Sequence, residues 1–194
     1  MRTIAIDCGH GGPDPGAVWR GLKEARVVRQ IGLALATWMI YARGYRVEMV
    51  YDGTVTHKAS FAERWDSVRM FNPCCYVSLH CNADPDADGP EDHIARGFEL
   101  WIKPDMETTA HELAVCVDNQ LRKVAGLGPS RGIKWAKSGG PAAVLRHPTC
   151  AALLCEVGFM DDPAFNSWIR ETTNVEAVAD AIACGVAEWI GGEA

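Results

Sequence analysis

The sequence predicts a three-layer α/β domain, in which helices cover both faces of a central sheet. Short apolar runs of strand length alternate with longer helix-like segments through most of the chain, an order typical of this architecture. At 194 residues, 48% of them hydrophobic, the chain can bury a sizeable core, and its length suits one domain. No internal repeat or low-complexity linker divides the sequence. We therefore expect a single domain over residues 1–194.

The chain opens with a strand and a glycine-rich loop. Ile4 and Ile6 alternate with other residues as in a strand, and residues 6–17 contain four glycines, two prolines and His10. Glycine allows positive φ values and a close approach to a ligand, while proline stiffens the loop. The glycines match neither GxxxxGK(S/T) nor GxGxxG, so the loop gives only weak support to phosphate binding. A histidine at the end of a rigid strand is well placed to hold a metal.

A helix and a second strand follow this loop. From Glu24, apolar residues cover much of a helix through residues 25–43, and Gly44 supplies a typical stop signal. In residues 45–51, apolar or aromatic side chains occupy every second position, and this alternation predicts a strand.

The next helix is indicated by its capping residues. Ser60 and Glu63 have the spacing of a capping box, which predicts a helix from Ser60 to about Phe71. Residues 74–80 form an apolar run of strand length with His80 at its end.

In the second half, the polar, proline-containing residues 84–96 predict a surface loop, and residues 97–102 predict a strand. Thr109 and Glu112 form another possible capping box, so we expect a helix that extends to about Val124.

The last third of the chain carries less regular signals. Residues 139–145 suggest a short strand, and the almost continuously apolar residues 151–157 predict a buried one. Thr173 is expected to cap a final helix that ends near Trp189. Trp135 is expected in a loop, where it is a candidate for substrate contact.

Charge and composition exclude several classes of protein. The net charge of −6 argues against a nucleic-acid-binding surface. Asp7 precedes any apolar run long enough for a signal peptide, and no stretch approaches a membrane-spanning length. We therefore expect a cytoplasmic product at synthesis, without membrane insertion. The eight cysteines include no CxxC pair, which favours reduced, buried thiols.

Ionisable residues collect where several strands are predicted to end. Asp7 and His10 follow the first strand, His80 ends the third, and Glu156 lies near the end of a late buried strand. Glu24 could fold back towards the same edge. Ligands of open α/β sheets bind beyond the carboxyl ends of the strands. Two histidines and two glutamates at one edge suggest a metal hydrolase, since imidazole and carboxylate are zinc ligands and catalytic zinc sites use three of them.

Glu156 differs from the other three in its surroundings. Its neighbours along the chain are apolar, so desolvation should raise the pKa of its carboxyl group. A raised pKa suits a general base that takes a proton from water and delivers it to a leaving amine.

Several motifs carry a resemblance to a known family, and they occur in order through nearly the whole chain. The chain resembles the zinc-dependent N-acetylmuramoyl-L-alanine amidases, which cleave peptidoglycan. The resemblance rests on Ile6 to Ala17, Gly21 to Glu24, Ser78 to Ala83, Gly97 to Leu100, Arg131 to Lys134 and Cys155 to Met160.

This resemblance implies a fold, a site and a reaction. The expected fold is a twisted, mostly parallel central sheet flanked by helices. The expected site holds one Zn²⁺ ion on His10, Glu24 and His80, with Glu156 as the catalytic glutamate. The expected reaction hydrolyses the amide bond between N-acetylmuramic acid and L-alanine of the peptidoglycan stem peptide. Without a signal peptide or a wall-binding repeat in the sequence, we expect a lysis enzyme that acts on the cell wall after release, either a phage endolysin, which we favour, or a bacterial enzyme freed when a mother cell lyses.

Two further expectations concern partners and domains. Some family members insert an inhibitory helix after the second histidine, but residues 84–96 are too short and too rich in proline and glycine for a long helix. We therefore expect no obligatory activator protein. No separate cell-wall-binding domain is expected either.

Some points stay open at this stage. Cys8 stands where proline is common in the family, and Cys81 adjoins His80, where a thiol could compete for the metal. Asp7 and Asp14 are expected to shape the loop or to orient His10. The alternatives are a zinc carboxypeptidase or deacetylase on a related scaffold, and a non-catalytic wall-binding module, which would not need a general base.

Overall fold

A computed structural model describes residues 2–54, 59–84, 95–104 and 107–192 of the chain. Its central feature is a six-stranded sheet with the strand order β4-β1-β5-β8-β6-β7, accompanied by a small β2-β3 hairpin. The strands are β1 (Thr3–Cys8), β2 (Val18–Trp19), β3 (Leu22–Lys23), β4 (Arg46–Tyr51), β5 (Cys75–Asn82), β6 (Phe98–Ile102), β7 (Ser130–Trp135) and β8 (Ala151–Phe159).

Six α-helices connect and cover these strands. They are α1 (Glu24–Thr37), α2 (Phe61–Phe71), α3 (Glu107–Leu121), α4 (Gly140–Leu145), α5 (Pro163–Trp168) and α6 (Thr172–Gly192), and a π-helical turn at Trp38–Ala42 extends α1.

The direction of the strands places the site. β1 pairs in parallel with β4 and β5, β5 pairs in parallel with β8, and β6 pairs in parallel with β7. The one reversal is between β8 and β6, which are antiparallel. The prediction of a mostly parallel sheet flanked by helices is thus confirmed. The carboxyl ends of β1, β5 and β8 meet at one edge of the sheet.

The two faces of the sheet are covered unequally. α1, α3 and α6 pack on one face, where their apolar side chains form a large core cluster. On the opposite face, α2 and α4 contribute Val68, Val144 and Leu145 to a smaller cluster with β5 and β8. This second face has room for a cavity.

Local sequence signals explain several helix boundaries. The backbone N–H of Ser60 donates to Glu63 Oε2 over 2.7 Å, and Glu63 N–H donates to Ser60 Oγ over 3.3 Å, so the predicted capping box is present. Glu24 is the first residue of α1, as expected, and Gly44 adopts a positive φ of 70° after the π-helical turn.

Other boundaries differ from prediction. α3 begins at Glu107, ahead of the expected cap Thr109, and ends at Leu121. α6 begins at Thr172 and continues to Gly192. The hairpin, α5 and β7 were not predicted.

The predicted strand over residues 139–145 is wrong, because Gly140–Leu145 forms α4. A short apolar run suits a strand or a buried helix equally, and Pro141 in the first helical turn favours the helix. The loop predicted for Trp135 is also wrong. Trp135 ends β7, and its ring stacks on that of His111 in α3, with centroids 6.2 Å apart on the face opposite the site.

The remaining expectations have mixed outcomes. Most of the predicted loop over residues 84–96 lies outside the described residues. Within the described part of the chain, no helix is long and apolar enough to cross a membrane. The eight cysteines are free, as expected, and four of them are buried. The single-domain organisation over residues 1–194 stays a prediction.

Candidate metal centre

His10 lies on the glycine-rich loop just after β1, with its backbone in the left-handed region at a φ of 62°. Non-glycine residues rarely adopt this conformation, and it often marks functional sites. The backbone groups of Gly11 and Asp14 exchange hydrogen bonds of 2.7 and 3.0 Å, which hold the loop closed. Asp14 Oδ2 lies 3.1 Å from His10 Nδ1, so the prediction that Asp14 orients His10 is supported by a direct contact.

Glu24 reaches back from the start of α1 to the same loop. Its Oε2 accepts a 2.9 Å hydrogen bond from the Ala17 N–H, and its Oε1 accepts one of 3.0 Å from the Cys81 N–H. Oε1 also lies 3.1 Å from both His10 Nε2 and His80 Nδ1. Burial would raise the pKa of Glu24, but the two histidine contacts outweigh burial and lower the pKa to about 2. The carboxylate is therefore ionised at neutral pH.

His80 lies on β5 beside the loop. Its Nε2 is buried and has no hydrogen-bond partner among the described residues, although buried polar atoms normally have one. The imidazole fits only because residue 9 is glycine, since a Cβ there would lie 2.3 Å from His80 Cε1. The loop and the strand are thus shaped around this ring.

Together, His10, Glu24 and His80 can each offer one ligand atom, and these three atoms lie within 4.8 Å of one another. Two imidazoles and one carboxylate form a donor set typical of catalytic zinc, which leaves a further coordination position open. The unpartnered Nε2 of His80 and the ionised Glu24 fit a bound cation. The structure therefore brings together the three residues predicted as metal ligands.

Glu156 lies on β8 directly beside His80 on β5, because the two are partners in the parallel register. Its Oε2 is buried without a hydrogen-bond partner among the described residues. Burial is the largest cause that raises the pKa of Glu156, the charges of Glu24 and Glu99 add to it and the charge of His80 opposes it, and together they bring the pKa to about 7. This is the environment that the sequence predicted for a general base.

A cavity of about 480 Å³ opens over these residues. Its polar lining includes His10, Asp14, His80, Glu156 and Arg64. Apolar side chains complete the wall, contributed by Ala59, Phe61, Pro141, Val144 and Leu154. A mostly apolar pocket with a few convergent polar groups is typical of a small-molecule or substrate site.

Asp7 does not contact His10 but anchors a buried polar network beneath the cavity. Its Oδ1 accepts a 2.7 Å hydrogen bond from Arg64 Nη1, and its Oδ2 accepts bonds of 2.7 and 2.9 Å from the hydroxyl groups of Tyr76 and Ser78. The suggestion that Asp7 orients His10 is therefore replaced by a role in holding Arg64 against the sheet.

The two cysteines near the site belong to the core. Cys8 and Cys81 are buried in the cluster beneath α1, and neither joins the group of metal-binding candidates. Burial first, and the charges of Glu24 and Glu156 second, raise the pKa of the Cys81 thiol well above its usual value. Neighbouring residues of a strand point to opposite faces of the sheet, so the Cys81 thiol lies in the core, away from the ligand atoms on the His80 side.

Comparison with known proteins now identifies the family. A family model described as N-acetylmuramoyl-L-alanine amidase matches residues 4–188. The chain belongs to this amidase family. Its activity is therefore hydrolysis of the amide bond between N-acetylmuramic acid and L-alanine in peptidoglycan, as the motifs predicted.

Curated relatives match nearly the whole amidase. The sporulation-specific N-acetylmuramoyl-L-alanine amidase of Bacillus subtilis (strain 168) is 28% identical over 96% of this chain and 67% of its own length. The endolysin of Bacillus phage SPP1 is 27% identical over 96% of this chain and 65% of its own length. The amidase thus spans about two thirds of the length of these relatives.

Solved structures share the fold. The N-acetylmuramoyl-L-alanine amidase from Clostridium difficile 630 superposes with a TM-score of 0.87 at 25% identity, covering 100% of this chain and 98% of that one. The CwlD amidase from Clostridioides difficile, solved in complex with the GerS lipoprotein, has a TM-score of 0.82 at 22% identity, covering 99% and 100%.

The sequence did not single out every polar residue near the site of the amidase. Arg64 lines the cavity although it lies on α2, and Glu99 on β6 is the antiparallel register partner of Glu156. The available signal for Glu99 was its position in one of the matching motifs, followed by a second motif that contains Arg131 and Lys134. His147 lies against the Trp65 ring, with centroids 4.0 Å apart.

Proposed function

We propose that the amidase is zinc-dependent, with one zinc ion held by His10, Glu24 and His80 and with Glu156 as the general base. The observation that supports this proposal best is the convergence of the three donor atoms within 4.8 Å next to Glu156. When bound, zinc acidifies water and polarises a carbonyl group.

The chain's own residues supply the proton transfers. Glu156, ionised, accepts a proton from the water that attacks the lactyl carbonyl carbon. It then donates this proton to the amide nitrogen as the C–N bond breaks, which releases the amino group of L-alanine and leaves a lactyl carboxylic acid. The acid gives its remaining proton to the released amine, so that a carboxylate and an ammonium group result. A pKa of about 7 suits both halves of this transfer at neutral pH.

Other residues position this machinery. Asp14 fixes the ring of His10 through Nδ1, and the backbone N–H groups of Ala17 and Cys81 fix the carboxylate of Glu24. Contacts of this kind hold ligands in place before the metal and the substrate bind.

The biological role that we propose is lysis of the cell wall. The similarity to the endolysin of Bacillus phage SPP1 supports a phage lysis enzyme, and the similarity to a sporulation-specific amidase supports the alternative, a bacterial enzyme freed when a mother cell lyses. We also propose that the amidase acts without an activator, because the segment between Ala83 and Gly97 is too short for a long inhibitory helix. Turnover of peptidoglycan by the purified chain alone is the expected result, and a requirement for a second protein would contradict it.

The reaction is tested on purified peptidoglycan, with the new chain ends identified by mass spectrometry. We expect new L-alanine amino termini, loss of their production with a chelator, and recovery with zinc. Release of a terminal amino acid or of acetate would instead favour a carboxypeptidase or a deacetylase. Unchanged turnover in the presence of the chelator would exclude the metal mechanism.

A further inference from the structure

A row of carboxylate and imidazole groups crosses the sheet on the side of the cavity. His80 on β5, Glu156 on β8 and Glu99 on β6 are successive register partners. Directly paired residues of neighbouring strands point to the same face. The row therefore extends from the proposed metal ligands, past the proposed base, to a second buried glutamate.

Both carboxylate oxygens of Glu99 are occupied by hydrogen bonds from neighbouring side chains. Its Oε1 accepts hydrogen bonds from Asn82 Nδ2 over 3.0 Å and from Trp101 Nε1 over 3.1 Å. Its Oε2 accepts from Arg131 Nε over 2.8 Å and from Lys134 Nζ over 2.5 Å. Burial opposes ionisation, but these cationic donors outweigh it and lower the pKa of Glu99. Glu99 is therefore a fixed anion that positions two cations.

The two cations exceed the charge that they neutralise. Arg131 and Lys134 carry two positive charges against the one negative charge of Glu99. Their side chains are 37% and 33% exposed, whereas that of Glu99 is 3% exposed. Each cation is also steadied by an aromatic ring, Arg131 by Phe159 at 5.0 Å and Lys134 by Trp101 at 5.3 Å. Two cationic groups thus stay partly exposed to solvent while Glu99 holds them in fixed positions.

The proposed proton transfer from Glu156 to the leaving amine indicates which part of the substrate lies near Arg131 and Lys134. Because Glu156 delivers its proton to the leaving amine, the stem peptide begins next to Glu156. The metal ligands occupy the His80 side, which leaves the other side of Glu156, over β6 and towards β7, for the peptide.

The distances suit the second residue of the stem. Strands lie about 4.8 Å apart, so β6 and β7 are about 5 and 10 Å from β8. An extended peptide advances about 3.4 Å per residue, which places the second stem residue about 7 Å from the leaving nitrogen. Stem peptides carry carboxyl groups, some free and some amidated.

Resting on the proposed function, we propose that Arg131 and Lys134, held by Glu99, form a subsite for a free carboxylate of the stem peptide, on the leaving-amine side of Glu156. The subsite selects acidic over amidated stems. It acts on substrate affinity rather than on the chemical step.

The test uses two synthetic muramoyl peptides that differ only in a carboxylate or a carboxamide on the second stem residue. The wild type is expected to favour the carboxylate by about tenfold in kcat/KM, the size of one hydrogen bond between charged groups. The variant Lys134→Gln should lose most of this preference, mainly through KM, and Arg131→Gln should act in the same direction. Lys137→Gln, an exposed lysine just beyond β7, serves as the matched control and should keep the preference.

Binding of the same two peptides to zinc-loaded Glu156→Gln, measured by calorimetry, separates this inference from the proposed reaction. A carboxylate preference in binding supports the subsite whether or not cleavage occurs. Equal binding of both peptides would overturn the proposed subsite. The subsite would also be overturned if Lys134→Gln and Arg131→Gln both kept the wild-type preference for the carboxylate. Thermal melting of each variant confirms that loss of preference is not loss of folding. Absence of cleavage by the wild type would instead contradict the proposed function.

Discussion

The two faces of the central sheet are built on different principles. The face beneath α1, α3 and α6 is an apolar core whose side chains are almost fully buried. The face beneath α2 and α4 carries Asp7, Glu99, Glu156 and His80, ionisable groups from four neighbouring strands. Apolar packing on the first face thus contributes most of the core. The second face carries the ionisable groups of the site, of which Asp7 and Glu99 are paired with cations, while His80 and Glu156 each keep a buried atom without a hydrogen-bond partner among the described residues.

This difference shows how a site is fitted into a stable fold. Strand alternation sends every second side chain to each face, so a single strand can serve both purposes. On β5, Leu79 and Cys81 pack into the core while His80 between them faces the cavity. Substitutions on the two faces should therefore have separable consequences.

Loss of charge pairing on the site face is expected to have the largest effect on stability. Asp7→Asn leaves the buried Arg64 without its counter-charge, and breaking a buried ion pair costs about 3–5 kcal/mol. Urea denaturation measures the change. The double variant Asp7→Asn/Arg64→Met should recover part of the loss, and a cost below about 1 kcal/mol for Asp7→Asn, the value of an exposed pair, would contradict this account.

Loss of packing on the core face should reduce stability without changing the chemistry. Leu113→Ala, in the fully buried part of α3, is expected to cost about 2–5 kcal/mol. The kcat of the folded fraction should stay within about twofold of wild type, because substitutions far from the site rarely alter its geometry. Val115→Ala on the exposed side of the same helix is the matched control, with an expected change within about 0.5 kcal/mol.

Loss of the contact that orients a ligand should have a smaller effect, confined to the site. Asp14→Asn weakens the contact with His10 Nδ1 and is expected to lower zinc affinity or activity by about 10- to 100-fold. Competition with a chromogenic chelator measures the affinity. The same change at the exposed Asp66 should have no effect, and equal losses at both positions would argue against a role for Asp14 in orientation.

The pH dependence is the mildest consequence. In the proposed mechanism Glu156 acts as a base only when it is ionised, and burial raises its pKa to about 7. The value of kcat/KM should therefore be constant above this pH and fall about tenfold per pH unit below it. A profile that falls only near the ordinary carboxyl value of 4.5 would show that Glu156 is not the group that titrates.

Local signals in the sequence predicted much of the fold. The capping box of Ser60 and the stop at Gly44 depend on neighbouring residues, and both were confirmed. β7 was missed because charged Arg131 and Lys134 and the intervening Gly132 interrupt the apolar alternation of a strand. Arg131 and Lys134 occupy this strand because they pair with Glu99 on β6, and the periodicity of a sequence cannot show a contact between two strands.

The sequence predicted those site residues that belong to recognisable motifs. His10, Glu24, His80 and Glu156 follow strands or begin a helix, and the structure brings all four to one cavity or its edge. The pairing of Asp7 with Arg64 could not be predicted, because 57 residues separate them and no local pattern links β1 to α2. Long-range polar pairing is decided by the packing of elements, after each has formed.

The central claim is that His10, Glu24 and His80 hold the metal while Glu156 transfers the proton. Zinc content and turnover, measured on the same preparations of wild type, Glu24→Gln and Glu156→Gln, test it most directly. We expect Glu156→Gln to keep one equivalent of zinc and to lose about 10²- to 10⁴-fold in kcat, the usual contribution of general acid–base catalysis. Glu24→Gln should lose both zinc and activity. Zinc retained with wild-type affinity by Glu24→Gln, or turnover by Glu156→Gln within a few-fold of wild type, would contradict the account.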